Sequence, residues 1–313
     1  VKPIIEVQHL VKRYKQGDKN AVDDISFDVE QGQFFALLGP NGAGKTTTIS
    51  ILTTTLAPTA GQALVAGFDV ATQASQVRRN VGIIFQNPSL DQNLTAEENV
   101  RFHAVLYGLY PFRPTFAAMP EAYRNEVNRL AEIVSLGGDV FKPVKRFSGG
   151  MKRKLEIIRS LIHNPQVLFL DEPTVGLDPA SRRNLWEYLT TVRTQNGTTI
   201  LLTTHYLEEA EQADTICIIN QGKIVSYGTP GALKSQLTAQ SYLLIDSVER
   251  GALRSELQRA AIPFEETPEF RISLASQNVQ QVIRRIETPL SLVKTYIPTL
   301  EDAYLAIVDG HND

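Results

Sequence analysis

Gly39-Pro40-Asn41-Gly42-Ala43-Gly44-Lys45-Thr46-Thr47 decides the fold. The run fits G-x-x-x-x-G-K-[ST] and stands where that motif works, after the apolar run Gln33–Leu38 and before a helix predicted to start near Gly44. Its glycines let backbone N–H groups crowd around phosphate oxygens, and the helix N-terminus adds positive potential. Lys45 reaches the β- and γ-phosphates, the Thr46 hydroxyl is placed to ligate Mg²⁺, and Thr47 serves another phosphate. Gly39, Pro40, Asn41, Gly42, Ala43, Gly44, Lys45, Thr46 and Thr47 are therefore the expected nucleotide-binding residues. A strand–loop–helix entry of this kind predicts an α/β P-loop NTPase core.

Outward from the loop, Val7 to Tyr14 and Ile25 to Val29 read as early strands. Val81–Phe85, Val167–Leu170, Thr199–Thr203 and Ile216–Ile219 are apolar almost throughout, as strands buried on both faces of a parallel sheet are. From about Thr95 to Ile162 the pattern turns helical, with apolar residues at Val100, Ala104, Leu106, Val127 and Leu130, so a helical subdomain of about 90–165 interrupts the core. Beyond Gly228-Thr229-Pro230-Gly231 the pattern changes again. Strand 241–246, helix 249–261, a hairpin over 263–274, helix 277–287, strand 291–297 and helix 299–308 predict a small α+β, ferredoxin-like βαββαβ domain. The expected division is an ATPase domain over 1–236 and an accessory domain over 237–313.

Val167-Leu168-Phe169-Leu170-Asp171-Glu172 carries two carboxylates out of a central strand at its C-terminal end, where α/β proteins bind ligands. Asp171 is expected to hold Mg²⁺ directly or through water. Glu172 is expected to polarise the attacking water, a role worth about 10²–10⁴ in rate. Adjacent acids after a strand are also found at solvated helix N-termini; the upstream phosphate loop favours the catalytic reading. Phe147-Ser148-Gly149-Gly150-Met151-Lys152-Arg153-Lys154-Leu155-Glu156 is a second anion-binding device, a Ser-Gly-Gly turn opening a cationic helix. With a phosphate loop already present, it has no phosphate of its own to hold and fits a nucleotide on another subunit.

These segments resemble the ABC ATPase superfamily, over about three-quarters of the chain. The resemblance implies ATP and Mg²⁺ as ligands, with Thr46, Gln86 and Asp171 around the metal. It further implies that Tyr14 stacks on adenine, that Gln86, following Phe85, senses Mg²⁺ and water, and that His205 contacts the γ-phosphate. Catalysis would rest on Glu172, His205, Gln86 and Lys45. Ser148, Gly149 and Gly150 would act in trans on the partner's nucleotide, and Asp178, in Val175-Gly176-Leu177-Asp178-Pro179, would touch the partner. Phe147 and Met151 depart from the commonest signature, which has Leu and Gln there; one lost hydrogen bond is worth only ~0.5–1.5 kcal/mol. Phe-Ser-Gly-Gly-Met with Lys-Arg-Lys-Leu-Glu, and the tail Ile297–Leu305, resemble the daunorubicin-resistance-like branch that exports drugs, lipids and polysaccharides. That branch implies a second ATPase subunit, a homodimer being expected, and separate transmembrane permease subunits. It places the chain in the cytoplasm, peripheral on the inner face of the cell membrane.

Bulk properties set the outer bounds. The 313 residues are 42% hydrophobic and 21% charged, with a net charge of −3, the balance of a globular protein; no basic excess points to nucleic acid. Cys217 is the one cysteine and forms no internal disulfide, so a reducing compartment is expected. No apolar run reaches the ~18 residues of a membrane span, and the first residues carry no basic-then-apolar signal. A soluble ABC ATPase acting on nucleic acid, another P-loop kinase or GTPase, and a C-terminal ligand sensor are the competing readings. The second leaves Ser148–Gly150 and His205 without a role. The aromatic, proline-broken segment 107–120 reads either as a docking loop for the permease or as a cover for the insert's own core. His9, His103, His163 and His311 read as structural or solvated, and Leu185, Leu189 and Val192 as core.

Overall fold

The computed structural model describes all residues except 1, 16–17, 86–88, 176, 236–240, 276–277 and 310–313. The chain divides into two compact units, 1–225 and 226–313. The expected boundary at 236/237 falls outside the described residues.

The first unit opens with strands β1 (Ile5–Arg13) and β2 (Asn20–Val29), paired antiparallel. β2 begins well before Ile25, where the apolar run starts. Its early part is hidden by a bulge: Leu10 pairs with Ile25 but Lys12 with Val22, and Asp24 sits at φ 57°. β3 (Phe34–Leu38) is buried at every position and feeds helix α1 (Lys45–Leu52). β4 (Ala60–Val65) and β5 (Phe68–Asp69) form a hairpin whose two turn residues, Ala66 and Gly67, both take positive φ. These strands make one sheet in the order β2-β1-β4-β5.

The second sheet holds the site. Helix α2 (Ala74–Asn80) leads into β6 (Val81–Ile84), and the helical insert follows as α3 (Ala96–Leu106), α4 (Glu121–Ile133) and α5 (Gly149–Leu161). The chain then runs through β7 (Val167–Asp171), α6 (Pro179–Asn196), β8 (Thr199–Thr204), α7 (Leu207–Ala210), β9 (Thr215–Asn220) and β10 (Lys223–Gly228). Sheet order is β10-β9-β3-β8-β7-β6, with β3, β6, β7, β8 and β9 parallel. The register pairs Leu38 with Thr204 and Asp171 with Thr203. Three strands thus end level, and everything that follows them gathers at one edge.

Within the insert, Leu106 is exposed, at 84%. Tyr123 of α4 is the buried centre instead. Its hydroxyl donates to Glu97 Oε1 at 3.0 Å, and Tyr110 and Phe116 pack edge-on against its ring. Part of segment 107–120 therefore covers the insert's core. Another part does not, since Phe112 stacks on Phe102 and both are exposed.

The second unit carries α8 (Pro230–Ser235), β11 (Tyr242–Asp246), α9 (Arg250–Arg259), β12 (Glu265–Glu266), β13 (Phe270–Ser273), α10 (Val279–Ile283), β14 (Leu292–Tyr296) and α11 (Leu300–Asp309). Its sheet runs β12-β13-β11-β14 with every neighbour antiparallel, a βαββαβ arrangement. Leu243, Ile245, Phe270 and Ile272 face Leu253, Leu257 and Val282 in one core. α10 is shorter than the expected 277–287. An Asn278–Gln281 capping box starts it, and the Glu256 carboxylate draws the Glu287 and Thr288 N–H groups out of helical register.

Candidate nucleotide site

The phosphate loop is shaped by what its glycines touch. A side chain on Gly39 would meet the Ile219 carbonyl at 2.2 Å, and one on Gly44, at φ 109°, would meet the Ala21 carbonyl at 2.4 Å. The loop is thereby seated on β9 and β2. Gly222, in the β9–β10 turn, donates to the Ala43 carbonyl at 2.9 Å and accepts from Asp23 N–H at 2.8 Å. The first-turn N–H groups of α1 have no preceding helical carbonyl to bond, so they are available to an anion.

Lys45 is buried, its ammonium donating to the carbonyls of Gly39 (2.8 Å) and Pro40 (3.1 Å) and lying 3.8 Å from Glu172 Oε1. Burial lowers its pKa, against the charges of Glu172 and Asp171. The Thr46 hydroxyl donates to Asp171 Oδ1 at 3.3 Å, and Thr203 Oγ1 donates to the same oxygen at 2.5 Å. His205 Nδ1 lies 3.3 Å from Glu172 Oε1. The Glu172 backbone is left-handed, at φ 46°, and its N–H is held by the Thr203 carbonyl at 3.1 Å. A glutamate in that conformation is turned out of the strand line towards Lys45 and His205 rather than along the sheet.

Asn41, Gly42, Gly44, Lys45, Thr46, Thr47, Glu172 and His205 line one cavity of about 530 Å³, ample for a nucleotide's phosphates. Tyr14 is half exposed beside it, its hydroxyl 3.3 Å from Thr47 Oγ1. Gln86 lies outside the described residues; the preceding Phe85 carbonyl accepts from Arg153 Nη1 at 2.6 Å.

Ser148, Gly149, Gly150 and Asp178 do not line that cavity; they form a cluster of their own. Ser148 caps α5, accepting from Met151 N–H at 3.2 Å, and Asp178 caps α6, accepting from Ala180 and Ser181 N–H at 3.0 Å. Those bonds, led by the Ser181 hydroxyl at 2.6 Å, hold the Asp178 carboxyl below the usual carboxylate range. A side chain on Gly150 would meet Ser181 Oγ at 2.9 Å, so the two helix starts lie side by side.

Sequence reasoning missed two groups that position the site. Thr203 carries both Asp171 and Glu172. Glu209 of α7 is buried, accepting from Thr204 Oγ1 at 2.7 Å and from Thr174 Oγ1, and so ties the turn after Glu172 to the strand before His205. A threonine ending an apolar strand and an acid in a four-residue helix leave no periodic signal.

A phosphate loop at a parallel sheet edge, an acidic strand end and a separate Ser-Gly-Gly helix start define an ATP-binding cassette. A family profile described as ABC transporter matches residues 22–175. The daunorubicin resistance ATP-binding protein DrrA3 of Streptomyces coeruleorubidus is 41% identical over 233 residues, 74% of this chain and 70% of that protein. The chain belongs to the ABC transporter family, and the resemblance drawn from its motifs holds. The probable multidrug ABC transporter ATP-binding protein YbhF of Escherichia coli K12 is 39% identical over 233 residues, 74% of this chain but 38% of that protein, so the chain spans well under half of that relative's length. A solved ATP-binding subunit of an ABC transporter is 31% identical with a TM-score of 0.65, covering 75% of this chain and 93% of its own.

Proposed function

We propose that the chain is the ATP-hydrolysing motor of an exporter for a hydrophobic drug, lipid or polysaccharide, acting as a pair and driving separate membrane permease subunits. The observation that carries the hydrolytic reading is the convergence of Lys45, Glu172 and His205 on one cavity beneath α1. The drug-resistance and multidrug names of the relatives support the exporter branch. Among the described residues no helix is long and apolar enough to cross a membrane.

The residues present suit Mg²⁺. The Thr46 hydroxyl and the Asp171 carboxylate meet at one point as hard oxygen donors, with Gln86 as the further expected ligand. Held there, the ion would supply positive charge against that of the phosphates. Lys45 and the α1 N-terminus hold the β- and γ-phosphates, and Tyr14 stacks on the base. Glu172, with Lys45 and His205 beside it, accepts a proton from the attacking water. His205 orients that carboxylate and contacts the γ-phosphate. Ser148, Gly149, Gly150 and Asp178 close on the partner's nucleotide. Positioning and charge neutralisation, rather than covalent chemistry, lower the barrier. The exposed Phe102–Phe112 pair is the docking face for the permease, and residues 237–313 steady the pair of motors.

The test is Glu172→Gln. It should bind ATP and hydrolyse it at least ~10²-fold more slowly, accumulating as an ATP-bound dimer on gel filtration. Wild-type turnover in the variant would remove Glu172 from the chemistry.

A further inference from the structure

Tyr206 also lines the nucleotide cavity, beside His205. Successive side chains of a strand point to opposite faces, yet these two rings meet, with centroids 4.0 Å apart and planes tilted by 39°. The reason lies in the backbone. β8 ends at Thr204, whose hydroxyl accepts from the Tyr206 N–H at 2.9 Å and donates to Glu209 Oε2 at 2.7 Å. That side-chain turn folds the chain where the two residues sit.

A second element reaches the same phenol. The Arg182 guanidinium carbon lies 5.6 Å from the centroid of the Tyr206 ring. Arg182 is the fourth residue of α6, in a first turn where the helix dipole disfavours a cation. Its Nε is buried without a hydrogen-bond partner among the described residues. The negative face of an aromatic ring within about 6 Å supplies an attraction that the helix does not.

His205 needs such a support. Its side chain is 34% exposed, and its Nδ1 lies 3.3 Å from Glu172 Oε1, longer than a well-formed N–H···O bond of about 2.9 Å. The polar contact is thus a loose guide to the direction of the ring. A group that must meet a reacting phosphoryl tolerates little error, since a displacement of about 1 Å can cost about 10²-fold in rate.

We infer that Tyr206 is the positioning residue for His205 and is clamped in turn by Arg182 from the first turn of α6. It acts through the imidazole and not on the phosphates. The Arg182 N–H bonds the Asp178 carbonyl at 2.9 Å, so His205 is aimed from the same turn of helix that is proposed to meet the partner. The inference rests on the hydrolytic reading of Glu172 and His205.

Hydrolysis of γ-labelled ATP by the full chain, in steady state and in single turnover, is the test. Tyr206→Leu should lower kcat about tenfold, the size of one good ring–ring contact, while KM for ATP changes by less than about twofold. Tyr206→Phe keeps the ring and should recover most of the wild-type turnover. Arg182→Met should lower kcat about two- to fivefold. With His205→Ala already present, Tyr206→Leu should cost no more than about twofold, because the imidazole it aims is gone. A ring that merely packed would cost the same about tenfold in both backgrounds. The His205 ring C–H resonances should move in Tyr206→Leu and keep their place in Tyr206→Phe, a readout of the contact that does not depend on rate. The clamp is overturned if Tyr206→Leu or Arg182→Met turns over like wild type, or if Tyr206→Phe is as slow as Tyr206→Leu. It is overturned equally if the losses multiply with His205→Ala, or if the His205 resonances stay in place in Tyr206→Leu. Wild-type hydrolysis in His205→Ala would be a different failure, that of the hydrolytic reading itself.

Discussion

Glu172 was legible as a catalytic candidate because a carboxylate after an apolar strand beside a phosphate loop has few other uses. What the sequence withholds is its backbone. The left-handed φ at Glu172, and the Thr203 contacts that hold it, depend on which strand pairs with β7. His103 is the reverse case, a residue with no motif whose surroundings are informative. It packs 4.2 Å from the Tyr107 ring and 5.9 Å from that of His163. Burial first, then the Arg159 charge, push its pKa down to about 3 from the ordinary 6.5; burial lowers His163 too. The folded state therefore resists protonation while the unfolded chain accepts a proton as pH falls through 6.5. Stability should be full above that value and fall below it, by up to about 1.4 kcal/mol per pH unit for each such histidine. Urea unfolding from roughly pH 7 to pH 5 should show a shallower loss in His103→Phe than in wild type. Equal slopes would mean that His103 is solvated in the folded state.

Among the elements, strands buried on both faces were the most readable, and the short, partly exposed β4 and β5 were not. β3, β7, β8 and β9 are runs of apolar residues buried from end to end, so composition alone marks them. β4 is exposed over its first half and β5 is two residues long, and a turn of Ala66 and Gly67 carries the pairing. The start of α5 was recognisable from Ser-Gly-Gly, yet its closeness to α6 appears only in the contact between Gly150 and Ser181. That pairing gives the trans reading its element-scale test. Ser148→Arg fills the surface beside Gly149 and Gly150 without reaching the phosphate cavity. ATP affinity of the single chain should change by less than about twofold, within the scatter of surface changes. ATP-dependent dimerisation should be lost by light scattering in a Glu172→Gln background. Ser148→Ala is the control, because losing the cap alone costs about 1 kcal/mol of stability and should leave dimerisation measurable. Dimers in Ser148→Arg equal to those of Glu172→Gln alone would end the sandwich arrangement for this chain.

At the scale of the molecule, the change of periodicity after Gly231 signalled a second unit. The two compact units divide between Val225 and Ser226, within β10, a stretch the sequence reading assigned to no element. A chain ending at Gly228 keeps the six-stranded sheet whole and removes α8 to α11. With every phosphate contact retained, its ATP affinity by calorimetry should match the full chain. Its nucleotide-driven dimers should dissociate at lower dilution if residues 237–313 steady the pair. Unchanged dimers would reassign that unit to sensing or ligand binding. The seating of the phosphate loop carries a consequence of a different sort. Ala21 of β2 presses its carbonyl where Gly44 and Gly222 both lack a side chain, and Gly222 is hydrogen-bonded to Ala43 on one side and Asp23 on the other. The loop, the first sheet and the β9–β10 turn consequently open together or not at all, and amides that never meet a phosphate become reporters of one. Deuterium uptake at Gly222 and Asp23 should slow when ATP is added, and a substitution in that distant turn should quicken exchange throughout Gly39–Thr47.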